Sequence, residues 1–225
     1  MLDHVAQTSP DAVVHTGDIS LDGAADLADL EHAHRLLQSS PTEVVALPGN
    51  HDLGDNPCET NQGSDRLVTA ERLARYRGVF GPDRWRIDIG SWRLLGFNAQ
   101  LMGSGLTEEA EQWEWLETEA QEAGQTDRHV AWFSHKPLLH SEPHRPEHDV
   151  AIRYLRPGPR ERLFEMMATS RAKVIISGHV HQHHTVRARD IDHLWAPTSW
   201  ATLSPSAQST VGDRWVGALE LRLAD

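Results

Sequence analysis

The sequence predicts an α/β fold of two packed, mixed β-sheets flanked by helices. Three observations carry that expectation. Four short β-branched or aromatic runs end abruptly in Gly, Asn or Ser and then in Asp, Asn or His. Stretches of helical period lie between them, the alternation that builds layered α/β folds. Two pairs of short strand-like runs bracket tight turns and add an antiparallel component.

Taken in order, Met1 to Thr8 reads as the tail of a helix, and Ala12-Val13-Val14-His15 as a strand running into Thr16-Gly17-Asp18. Ala24 to Gln38 places Leu27, Leu30, Ala33 and Leu37 on one helix face. A second strand, Val44-Val45-Ala46-Leu47, runs into Pro48-Gly49-Asn50-His51-Asp52, and Val68 to Val79 carries a mixed helical pattern. Trp85 to Ile89 and Trp92 to Phe97 read as a hairpin about Gly90-Ser91. Glu108 to Ala123 is a helix with Thr107 as its cap and acids in its first turn. Val130-Ala131-Trp132-Phe133 leads into Ser134-His135, and Pro159 to Ser170 is a helix opened by a proline. Val174-Ile175-Ile176-Ser177 leads into Gly178-His179-Val180-His181. His183 to Ala188 and Ile191 to Ala196 form a second hairpin, and Trp215 to Leu223 reads as a closing strand.

The four core runs lack alternation, so both faces should be buried. Val13, Val45, Ala131 and Ile175 are therefore expected in neighbouring central strands, with the hairpins in a second sheet. Residues 1–225 read as one domain, and Leu53 to Ser64 and Leu138 to Gly158 as its irregular rim loops.

Composition excludes several classes. The chain has 33 Asp and Glu against 21 Lys and Arg, a formal charge of -12, which repels duplex nucleic acid. Cys58 is the single cysteine, so no internal disulfide is possible, and a reducing, cytoplasmic compartment is expected. No apolar run approaches the roughly 18 residues of a membrane span, and MLDHVAQTSPDA lacks the features of a signal peptide. Fifteen histidines are many, and they sit mostly beside Gly, Asn, Ser or Pro.

Four strand ends each deliver a residue suited to metal binding. In open α/β sheets, ligands bind beyond the carboxyl ends of the strands, so the four junctions should converge. Asp18 offers a hard anionic oxygen able to bridge two cations, Asn50 an amide oxygen, and His135 and His179 imidazole nitrogens. His179 and His181 are two apart, and in extended backbone such residues point the same way. A mixed oxygen and nitrogen shell suits Mn, Fe or Zn better than calcium.

Gly17-Asp18, Gly49-Asn50-His51-Asp52, Ser134-His135 and Gly178-His179-Val180-His181 together resemble the calcineurin-like metallophosphoesterase superfamily. Order and spacing match from about Asp11 to Leu223. The resemblance implies an αββα sandwich and hydrolysis of a small phosphate ester at a dinuclear metal centre. By position, Asp18 would bridge both cations; Asn50, His135 and His179 would complete one shell, and His181 would bind the second cation. His51 would act over the leaving group with Asp52 orienting it, and Asn50 and His51 would touch the substrate. Two cations about 3.5–4 Å apart clamp the attacking and leaving oxygens and lower the pKa of a bound water.

The superfamily pattern opens with Asp-x-His, and the 16 residues before Gly17 contain none: Asp3 and His4 are adjacent. The expectation is that the first strand lies upstream of the sequence and that one cation is held firmly. An open sheet position would then invite self-association. The alternative reading is a non-catalytic or weakly active binding protein with the same fold. Gly17-Asp18-Ile19-Ser20 departs from the protein phosphatases, and Leu21 stands where purple acid phosphatases carry Tyr. Gln112-Trp113-Glu114-Trp115-Leu116 and Ala196-Pro197-Thr198-Ser199 resemble the small bacterial, cyclic-nucleotide phosphodiesterase-like branch. His15 reads as a packed or supporting ring. His140, His144, His148, His183, His184 and His193 read as solvated, and Asn98 as a turn former.

Overall fold

Residues 2–140 and 152–224 are described by the computed structural model. Helix α1 (Leu2–Thr8) precedes β1 (Val13–His15), α2 (Leu27–Gln38), β2 (Val44–Ala46), the short α3 (Asn50–Leu53) and α4 (Ala70–Phe80). The hairpin β3 (Trp85–Ile89) and β4 (Trp92–Gly96) follows, then a 3-10 turn (Ala99–Leu101), α5 (Thr107–Gly124) and β5 (His129–Ser134). Helix α6 (Pro157–Thr169), β6 (Ala172–Ser177) and the hairpin β7 (His184–Ala188) and β8 (Ile191–Trp195) complete the regular elements among the described residues.

The strands form two sheets, though not as the runs alone suggest. β1 and β2 pair in parallel as a two-stranded sheet, while the other six run in the order β3-β4-β5-β6-β8-β7. Val13 and Val45 thus lie in one sheet and Ala131 and Ile175 in the other. Both hairpins extend the larger sheet instead of forming a second one. Their inner strands explain this: β4 is buried along most of its length and β8 at alternate positions, so each can pair in parallel with a central strand. The outer strands β3 and β7 alternate half-buried with exposed residues, as edge strands do.

Both faces of the large sheet are covered. Leu95, Val130, Trp132 and Ile175 pack under α5 and α6 against Leu116, Ala120, Leu163 and Met167. On the opposite face Leu94, Ala131, Phe133 and Ile176 meet Leu47 and Val14 of the small sheet. Trp85 ties the sheets together by donating its indole N–H to the Ala46 carbonyl at 3.1 Å.

Side-chain caps set two of the helix starts. The Asp26 carboxylate caps α2 at the Ala28 amide, and the Thr69 hydroxyl caps α4 at the Arg72 amide. Thr107 lies inside α5 with Leu106 at the capping position, and α6 starts at Pro157, ahead of the expected Pro159. Residues 215–223 form no strand; a single bridge joins Thr198 to Val216. The segment is held instead by scattered contacts: Trp215 leans on His183, ring centroids 5.8 Å apart, and the Trp92 indole donates to the Ala224 carbonyl at 3.0 Å. Asn98 is fully buried and accepts the Gln100 amide while donating to Asp83, a turn-forming role. His140 and His193 are buried, against expectation, and His144 and His148 fall outside the described residues.

Candidate metal centre

Each of the four expected junctions sits at the carboxyl end of a parallel strand, β1, β2, β5 or β6. The turns after them are tight. Gly17 has φ +105°, and a Cβ there would lie 2.5 Å from His135 Nδ1. A Cβ on Gly49 would come within 2.1 Å of Asp18 Oδ1 and 2.3 Å of the Asp18 amide nitrogen. Glycine is required at both positions so that the loops can close on one another.

Asp18, His135 and His179 offer ligand atoms that all lie within 4.8 Å of one another. His135 is the hub. Its Nδ1 meets the Thr16 carbonyl at 2.9 Å, which directs Nε2 inward. That nitrogen faces Asp18 Oδ2 at 3.3 Å, Asn50 Oδ1 at 3.2 Å and His179 Nδ1 at 2.9 Å. Imidazole fixed by a backbone carbonyl at its far nitrogen is the usual arrangement of a metal-binding histidine.

The donor set fits a divalent cation. With Nδ1–H given to Thr16, His135 can present at most one proton on Nε2, yet three lone-pair atoms face it. A proton satisfies one of them; a cation at their centre would satisfy all. His179 Nε2 is also buried with no hydrogen-bond partner among the described residues. Burial alone would raise the Asp18 carboxyl, but His135, then His179 and the His51 amide, hold it far below the usual carboxylate range. Burial would lower His135, and the Asp18 carboxylate more than reverses that. Burial, together with the neighbouring His135 and Lys136, keeps His179 neutral. Asp18 charged and His179 neutral are the states that cation binding needs, and a cation would take the place of the Nε2 proton that Asp18 favours on His135.

His181 stands apart from this trio. Its Nδ1 meets the Ala201 carbonyl at 2.6 Å, again leaving Nε2 as the available nitrogen. The expected extended backbone is not what positions the pair: His179 has φ 65° and His181 φ 51°, both left-handed. Asp18, at φ 55°, shares that conformation. Such backbone costs of order 1 kcal/mol per non-glycine residue and persists where surrounding structure enforces it.

His51 donates its backbone N–H to Asp18 Oδ1 at 3.0 Å, and its exposed ring places Nδ1 2.6 Å from the Leu21 carbonyl. Asp52 does not orient that ring. Its buried carboxylate accepts from the Ser20 hydroxyl at 2.6 Å and from the amides of Ser20 and Gly49, each at 2.8 Å. Asp52 thus pins the Asp18 turn to the Asn50 turn, and the backbone of Leu21 takes the orienting role. His15, the supporting ring, accepts from the Gly17 amide at 3.3 Å; burial lowers it to about 4 against the pull of Asp18.

Lys136 escapes a reading based on motifs. It directly follows His135, is fully buried, and its ammonium donates to Asp55 at 2.8 Å and Asn56 at 2.6 Å. The signal was a lysine inside an apolar strand exit, with an acid three residues after Asp52.

A sequence profile described as calcineurin-like phosphoesterase matches residues 1–183. Among solved structures, a dimetal phosphatase from Danio rerio aligns over 87% of this chain and 75% of its own, with TM-score 0.59 and 15% identity. A purple acid phosphatase from yellow lupin aligns over 86% of this chain but 38% of its own, with TM-score 0.63 and 15% identity. GAP50, the anchor in the inner membrane complex of Plasmodium, aligns over 90% of this chain and 67% of its own, with TM-score 0.57 and 11% identity. No curated protein matches the chain at a significant level. At such identities the structures share a fold with this chain. No helix among the described residues is long and apolar enough to cross a membrane. The match over residues 1–183, on a two-sheet α/β fold whose strand exits gather Asp, Asn and His, places the chain in the calcineurin-like phosphoesterase family, whose chemistry is metal-dependent hydrolysis of phosphate esters.

Proposed function

We propose that this chain hydrolyses a small phosphodiester, with Asp18, Asn50, His135 and His179 holding a Mn, Fe or Zn ion. The carrying observation is the convergence of Asp18, Asn50 and His179 on His135 Nε2. A cation bound there supplies Lewis-acid polarisation of the phosphoryl group and activation of a water. The chain's own residues do the rest. Asp18 would supply the bridging carboxylate, its Oδ1 held by the His51 amide. His181, with Nδ1 anchored on Ala201, would use its remaining Nε2 to help hold a second cation. From this chain the first cation would have four ligands and the second two, Asp18 and His181, so the first should bind more firmly.

His51 moves the proton. With Nδ1–H on the Leu21 carbonyl, Nε2 is the atom presented to substrate, and in its protonated form it delivers a proton to the departing oxygen. The test is turnover of bis(p-nitrophenyl) phosphate by the full chain, with and without added Mn²⁺, beside metal content. Metal-dependent release of p-nitrophenol with at least one ion per chain is expected. Bound metal with no turnover of diesters or monoesters would replace the hydrolase with a binding protein of the same fold.

A further inference from the structure

The two most exposed large apolar side chains among the described residues both flank the candidate metal centre. Trp200 is 69% exposed and Leu21 62% exposed. The Leu21 carbonyl holds the His51 ring, so its side chain stands at the His51 edge of the centre. Trp200 lies against His181 in an edge-to-face arrangement, ring centroids 6.5 Å apart and planes at 78°. The next residue, Ala201, supplies the carbonyl that anchors His181 Nδ1. A tryptophan buries 150–250 Å² when it finds a partner, and leaving one in water beside a ligand position forgoes that gain.

The segment bearing Trp200 is fixed. The Thr198 hydroxyl accepts from the Trp200 amide at 3.1 Å and the Ala201 amide at 3.3 Å. The Thr198 carbonyl accepts from the Gly217 amide at 2.9 Å. An indole on a pinned turn loses little further freedom when a ring stacks on it, so most of the stacking gain would appear as affinity.

We infer that Trp200 is a stacking platform for an aromatic or heteroaromatic group carried by the phosphoester. This rests on the hydrolase reading above and narrows its substrate class. The surface chemistry agrees: with a net charge of -12, a neutral planar ring is a better handle than a second anionic group. Stacking of a base on an aromatic side chain is sequence-tolerant and needs only an open π-face.

Calorimetric titration of the Mn²⁺-loaded full chain with phenylphosphonate and with methylphosphonate tests this, because the two probes share the anion and differ in the ring. The expected result is at least roughly tenfold tighter binding of the phenyl probe. Trp200→Ala should bring the ratio of the two affinities to about threefold or less, and Trp200→Phe should retain most of it. The conservative variant guards against a folding defect in the alanine form. Equal affinities in the parent chain, or a ratio that survives Trp200→Ala, would overturn the platform while leaving the metal-centred reading intact. Failure of both phosphonates to bind, together with no phosphoester turnover, would remove the hydrolase reading and the platform with it.

Discussion

In the proposed hydrolase Asp18 and His51 would divide two duties, holding a cation and moving a proton. Asp18 Oδ2 points at the cluster while Oδ1 takes the His51 amide, whereas the His51 ring is fixed through Leu21 and not through the cluster. Asp18→Asn and His179→Ala should therefore abolish turnover by releasing metal. His51→Ala should keep its metal and lose about 10²–10⁴-fold in rate, the usual worth of general acid–base help. Metal content beside turnover checks both halves, and equal metal loss in all three variants would make His51 a ligand. Gly49→Ala is a sterner test of the geometry. Its Cβ would sit 2.1 Å from Asp18 Oδ1 and 2.3 Å from a backbone nitrogen that cannot swing away. Overpacking of this kind costs about 1–3 kcal/mol. A variant that melts like the parent with full metal content would show that the turn has room to spare.

Elements meet at the centre through buried polar clips, and Lys136 is the one that joins β5 to the chain after α3. Burial pushes its ammonium down and Asp55 opposes that shift, so the fully buried lysine stays paired with a carboxylate that is itself only slightly exposed. Removing one member of a buried ion pair costs about 3–5 kcal/mol because the other charge is left uncompensated. Lys136→Met should lower the melting temperature by roughly 10 °C in a chain of this size. Combining it with Asp55→Leu should recover part of that loss. A melting temperature within about 2 °C of the parent for Lys136→Met would mean that the clip contributes little. The hairpins teach the same lesson about elements. Their strands were legible from turns and alternation, but their sheet was decided by which strand of each pair was apolar enough to lie inside.

Across the whole molecule, stability should depend on both metal and acidity. A cation at about 100 times its dissociation constant stabilises by about 2.7 kcal/mol, so Mn²⁺ should raise the melting temperature by roughly 5–10 °C. A chelator should reverse this, and Asp18→Asn should show neither change. His193 supplies the acid dependence. Packed edge-to-face on Phe164 at 5.7 Å, its ring is lowered to about 4 by burial, against a hydrogen bond with Ala188 and the charge of Asp192. The unfolded chain takes up that proton near pH 6.5 while the folded chain does not until about 4. Stability is therefore lost as pH falls through that window, by up to about 3 kcal/mol for this ring. His193→Leu should flatten the fall in urea midpoint between pH 6.5 and pH 4 relative to the parent, a comparison that cancels the contribution of His15. Parallel curves would show that His193 is not the group responsible.

The sequence by itself determined where strands stop and which ligand-type residues follow them. Apolar runs ended by Gly17, Gly49, Ser134 and Gly178 are local signals, set by backbone freedom and burial that each segment carries in its own residues. The gathering of Asp18, Asn50, His135 and His179 was legible for the same reason, because parallel strands deliver their carboxyl ends to one side. Tertiary structure alone decided the rest. The Leu21 carbonyl behind His51 and the Asp52 carboxylate spent on Ser20 are contacts between segments about 30 residues apart, and the left-handed backbone at His179 and His181 is likewise held by its surroundings. The same holds for the burial of Lys136 against Asp55, 81 residues away in the chain, and for the exposure of Trp200 beside His181. A period or a motif records what one segment prefers; which carbonyl, charge or ring a distant segment brings to meet it is fixed only when the two sheets close.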